Sequence, residues 1–76
     1  MTVQDPFLSV RHFVAVARTG SFTAAALGLG LTGSALSKSI VRLEARLGVK
    51  LLHRTTRRVS LTPEGEAYLA SCLQAI

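Results

Sequence analysis

Tryptophan is absent, cysteine occurs once (Cys72) and proline twice (Pro6 and Pro63) in a chain of 76 residues. A single cysteine excludes an internal disulfide and fits a reducing compartment. Without staples, a chain this short is near the lower end of what can bury a useful core. Long apolar runs are also missing: nothing approaches the roughly 18 uninterrupted residues that a membrane span needs. Met1 to Pro6 lack a basic segment followed by an apolar stretch, so no signal peptide is expected. Hydrophobic residues make up 49% and the mean hydropathy is +0.40, which argues against intrinsic disorder. These features predict one small cytoplasmic domain.

The scarcest feature is negative charge. Four acids (Asp5, Glu44, Glu64 and Glu66) stand against nine Lys and Arg, giving a net charge of +5. A basic balance alone fits nucleic acid, membrane surface or ribosome. Position narrows the choice. Lys38, Arg42, Arg46, Lys50, Arg54, Arg57 and Arg58 share a stretch whose only acid is Glu44. A cluster of that kind favours a polyanionic partner over a merely solvated face.

Four helices and one hairpin are written in the pattern. Asp5-Pro6 offers a cap followed by proline at a first helical position, and Val10, Phe13, Val14 and Ala17 then recur as one apolar face. Thr19-Gly20 ends that helix. Ser21 caps a short second helix running to Leu29, with Gly30 as its left-handed terminus. Thr32 caps a third, striped by Leu36, Ile40, Leu43 and Leu47 and stopped by Gly48. Val49 to His53 and Val59 to Leu61 read as short strands around the polar loop Arg54-Thr55-Thr56-Arg57-Arg58. Thr62-Pro63-Glu64-Gly65-Glu66 is a helix start with a hydroxyl cap, proline and acids at the positive end of the dipole.

This order, with two short helices joined by a glycine turn and then a basic hairpin, is the layout of a mainly α winged helix-turn-helix. It predicts a three-helix core, a small two-stranded β-wing and a C-terminal linker helix. Residues 1–61 form the DNA-binding part and 62–76 the start of the linker. On the third helix Ser34, Lys38, Val41 and Ala45 lie opposite the apolar stripe, flanked by Ser37 and Arg42. Small side chains allow close approach to a groove, and hydroxyls serve donor or acceptor edges.

Ser21-Phe22-Thr23-Ala24-Ala25-Ala26, Leu36-Ser37-Lys38-Ser39-Ile40 and Leu43 through Leu52 resemble a LysR-type transcriptional regulator. So do Arg54-Thr55-Thr56-Arg57-Arg58 and Leu61-Thr62-Pro63-Glu64-Gly65. The resemblance covers essentially the whole chain in one register. It implies sequence-specific binding of duplex DNA, with helix 32–47 in the major groove and wing 53–59, led by Arg57, in the minor groove. Helix face and resemblance together put the contacts at Ser21, Thr23, Thr32, Gly33, Ser34, Ser37, Lys38, Arg42, Arg54, Thr56, Arg57 and Arg58. The resemblance further implies a homodimer on an inverted-repeat operator, paired through Tyr68, Leu69, Cys72, Leu73 and Ile76 of the fourth helix. It implies a higher oligomer at full length, and a small-molecule effector bound by a C-terminal domain lying beyond this chain. Two positions depart from the family: Gly33 and Ser39 stand where glutamine is usual. Helix two also reads Leu27-Gly28-Leu29-Gly30 where charges are common.

Other readings have less support. Catalysis needs a constellation, and none is present, so neither an enzyme nor a cofactor nor a metal is expected. His12, His53 and Cys72 lack ligand spacing: His12 is expected on a helix surface, His53 in a wing strand and Cys72 in packing. Gly28-Leu29-Gly30 follows a helix rather than a strand and is no phosphate loop. Thr23, Thr32 and Ser37 each have an alternative role as caps or surface hydroxyls, and Arg46 is expected to cover the core edge with its stem. A module that binds protein or anionic membrane remains the second class, disfavoured for membrane by Glu64 and Glu66.

Overall fold

The computed structural model describes residues 7–54 and 58–75. Its order is α1 (Leu8–Thr19), α2 (Phe22–Leu29), α3 (Gly33–Leu47), β1 (Leu52–Arg54), β2 (Val59–Leu61) and α4 (Pro63–Ala75). Asp5 and Pro6 lie outside the described residues. The boundaries follow local chemistry. Ser21 Oγ accepts the Ala24 N–H at 3.2 Å and Thr32 Oγ1 accepts the Ala35 N–H at 3.0 Å, so both short polar residues cap as the sequence predicts. At the other end of α2, the N–H groups of Gly30 and Leu31 return to the carbonyls of Leu27 and Ala26. Gly30 takes φ +70 there, closing the helix in a Schellman motif.

These glycines yield a prediction of opposite signs. Gly28 is helical, and a Cβ there would meet no heavy atom within 4 Å. Gly28→Ala should therefore stabilise the domain by about 0.5–1 kcal/mol. Gly30→Ala forces a side chain into the left-handed region and should destabilise it by about 1–2 kcal/mol. Urea denaturation of both variants checks this; a shared sign would contradict the helix boundary.

The core gathers Phe13 and Val16 of α1, Ala25 and Ala26 of α2, Leu36, Ile40 and Leu43 of α3, and Leu51 and Leu52 at the wing. Two expectations need correction. The buried face of α1 is His12, Phe13 and Val16; Val10, Val14 and Ala17 are half-exposed. The face is rotated because a buried polar side chain, His12, takes a place that apolarity alone would give to valine. On α3, Leu47 is 39% exposed. It is the last helical residue, and the buried face ends one turn earlier with Leu43 and Glu44.

The strands pair antiparallel with Leu52 opposite Leu61, His53 opposite Ser60 and Arg54 opposite Val59. Helix α4 packs back on the same core. The Tyr68 ring lies 5.5 Å from that of Phe13, Leu69 packs against the cluster and Cys72 is buried. Burial, together with neighbouring Cys72, pushes the Tyr68 phenol above its ordinary pKa. Among the described residues no single helix is long and apolar enough to cross a membrane.

Candidate nucleic-acid interface

Helices α2 and α3 meet at a bend of 102°, within the range of a helix-turn-helix. Ser34, Lys38, Val41, Arg42 and Ala45 are exposed along α3, with Ser37 half-buried at the edge of that face. Gly33 opens the helix in free space, with no heavy atom within 4 Å of a would-be Cβ. Ser21 is half-buried with its oxygen committed to capping, while Thr23 is exposed. Thr32 is an exposed cap. Thr56 and Arg57 lie outside the described residues; Arg58, beside them, is exposed.

Arg54 ties the wing to this face. Arg54, in β1, donates from Nη1 to Ser37 Oγ at 2.7 Å, and its guanidinium carbon lies 4.3 Å from the centre of the Phe22 ring. Wing, recognition face and α2 thus meet at one guanidinium. Sequence reasoning named Arg54 and Ser37 separately and missed Phe22. An aromatic at the first position of α2 gives no signal of what will stack on it.

A second clamp sets the wing's base. Glu44 Oε2 accepts the N–H of Leu51 at 2.8 Å and of Leu52 at 3.2 Å. The Leu51 carbonyl accepts the Thr62 N–H at 3.0 Å, and Thr62 Oγ1 donates to the Lys50 carbonyl at 2.6 Å while accepting the Gly65 N–H at 2.9 Å. The end of α3, the start of β1 and the start of α4 are joined around Leu51. Glu44 was expected only as the lone acid of a basic stretch; it is buried and structural. All eight described cations are exposed, so no exposed acid stands among the described residues from 33 to 63.

His12 also departs from expectation. It is buried, not on the surface, and its Nδ1 lies 2.7 Å from Ser39 Oγ, which in turn donates to Ser9 Oγ at 3.3 Å. Burial pushes its pKa below the usual histidine value. Ser39, where glutamine is usual, serves this link between α1 and α3. On α4, Tyr68 and Cys72 turn into their own core, whereas Leu73 is exposed; Ile76 lies outside the described residues.

A bent helix pair whose second helix carries an exposed basic and hydroxylic face, followed by a two-stranded wing fixed to that helix, defines a winged helix-turn-helix. Residues 7–66 match the model of the bacterial regulatory helix-turn-helix protein, lysR family. The chain belongs to that family. It is 63% identical over 62 residues to the HTH-type transcriptional regulator PtxR of Pseudomonas aeruginosa, covering 78% of this chain and 20% of that one. Among solved structures, the BenM DBD with catB site 1 DNA has a TM-score of 0.87 at 38% identity, covering 93% of this chain and 79% of that one. The CbnR DBD–DNA complex has a TM-score of 0.88 at 35% identity, covering 93% and 82%. The chain spans about a fifth of the length of the curated relatives it matches.

Proposed function

We propose that this chain binds duplex DNA sequence-specifically as the reading head of a transcriptional regulator. Helix 32–47 enters the major groove and wing 53–59 the adjacent minor groove. The observation that carries the reading is the Arg54–Ser37 contact, which sets the wing beside an acid-free recognition face. The likeness to BenM and CbnR domains in DNA complexes supports it. Two copies pair through α4, with exposed Leu73 in the seam, and bind an inverted repeat whose half-sites lie about 34–36 Å apart. No cofactor is required for this activity, catalysis has no part in it, and a chromosomal partner puts the protein in the bacterial cytoplasm.

The expected result is steep salt dependence. Each phosphate neutralised should lower log K by about 0.9 per log unit of salt. Titration of this chain against duplex at several salt concentrations should give a slope steeper than about −3, and anionic vesicles should not compete. A flat response between low and moderate salt would contradict DNA binding.

A further inference from the structure

A serine hydroxyl on a recognition helix is chemically ambivalent, since it can donate to an acceptor or accept from an amino group. In Ser37 that ambivalence is tilted towards donation. Its oxygen accepts from Arg54 at 2.7 Å, and a guanidinium has five donors and no acceptor, so the direction of the bond is fixed. The bond is charge-assisted, which draws density from Oγ and turns the hydroxyl hydrogen away from the cation. Helical serines often return that hydrogen to the carbonyl one turn back. Among the described residues, Ser37 makes no such bond. We propose that Arg54 is a specificity-determining positioning residue, making Ser37 a donor that seeks an acceptor on the duplex: a phosphate oxygen, a purine N7, guanine O6 or thymine O4. The inference rests on the DNA-binding reading above and deepens it.

The geometry holding Arg54 is built from three elements. Phe22, at the start of α2, offers its ring face 4.3 Å from the guanidinium carbon. Strand β1 is paired at Arg54 to Val59, and its first amides are fixed by Glu44. Ser37 lies one turn from exposed Ser34 and beside exposed Lys38, at the edge of the face offered to a groove. The consequence is a preference. Adenine N6 and cytosine N4 present donors, and they meet an Oγ that already accepts a charge-assisted bond, so Ser37 favours acceptors over them. A lysine at position 54 keeps the charge but lacks the planar fork that both stacks and donates at a fixed angle.

The test starts from duplexes that this chain selects out of a randomised library. Single acceptors are then removed one at a time, with 7-deazapurines, 2-aminopurine for guanine, 5-methylpyrimidin-2-one for thymine, and single methylphosphonates; the base and phosphate arms separate the two sources of acceptor. One replacement should weaken wild type about three- to tenfold, the size of one hydrogen bond, and have no effect on Ser37→Ala. Arg54→Lys should lose that same coupling although it retains the charge. Phe22→Leu should reduce the coupling in the same direction, as a second variant independent of the charge. Two results would overturn the inference while sparing DNA binding. One is that no acceptor position couples to Ser37; the other is that Arg54→Lys and Phe22→Leu leave the coupling intact. A library that yields no bound duplex overturns the proposed function and this inference with it.

Discussion

Gly65→Ala should cost about 3 kcal/mol or more and leave the domain largely unable to hold its wing. A Cβ at Gly65 would sit 2.0 Å from the Leu51 carbonyl oxygen and 2.9 Å from its carbonyl carbon. Both are backbone atoms, and that carbonyl already accepts the Thr62 N–H, so it cannot move without breaking the clamp. Helix propensity alone predicts the reverse, a gain of about 0.5–1 kcal/mol for alanine over glycine in a helix interior. The clash exceeds that gain by a wide margin. A domain of 76 residues has roughly 4–11 kcal/mol of total stability. Thermal unfolding should drop by about 12–24 °C, at about 4–8 °C per kcal/mol. Gly28→Ala, an equally helical site with open space, provides the control. Equal melting temperatures for Gly65→Ala and wild type would mean that α4 does not approach Leu51 so closely.

Glu44→Ala is expected to cost about 3–5 kcal/mol. The carboxylate is the partner of two amides, those of Leu51 and Leu52, and both residues are buried. Removing it strands both donors, and each unpaired buried polar group costs about 1–3 kcal/mol. Glu44→Gln retains an acceptor oxygen but loses the charge, and should cost roughly half as much. Urea denaturation measures both. The order Ala worse than Gln worse than wild type is the expected outcome. A Glu44→Ala variant within about 0.5 kcal/mol of wild type would contradict the clamp.

The sequence made local features readable and left tertiary ones obscure. Ser21, Thr32 and Thr62 cap their helices as spacing predicts, because capping partners lie within three residues. Glu44 and Gly65 were visible as residues but not as roles, since both act on the backbone around Leu51, and a backbone amide or carbonyl has no sequence signature. His12 was misplaced for a related reason: its partner Ser39 is 27 residues away, and without it a histidine belongs on the surface. The interface was legible as a list of hydroxyls and cations on α3 and the wing. Its organisation around Phe22, Ser37 and Arg54 was not, because stacking across three elements follows from the fold. On α4, Leu73 is exposed as expected, but Tyr68 and Cys72 complete the domain's own core and Leu69 packs against it.

The central claim, α3 in the major groove and the wing in the minor groove, is tested most directly by titrating wild type, Gly33→Gln and Arg57→Ala against a small duplex panel at several salt concentrations. Gly33 has room for a side chain at the start of α3. Glutamine there adds an amide without charge, so base preference should change at one position per half-site, by up to about 1–3 kcal/mol, with the salt slope unchanged. Arg57→Ala should weaken binding on most sequences, most of all on narrow A·T-rich minor grooves, and make the slope shallower by about 0.9 per protomer. A Gly33→Gln variant that alters only the salt slope, beside an Arg57→Ala variant that alters only base preference, would contradict the assignment of helix and wing to their grooves.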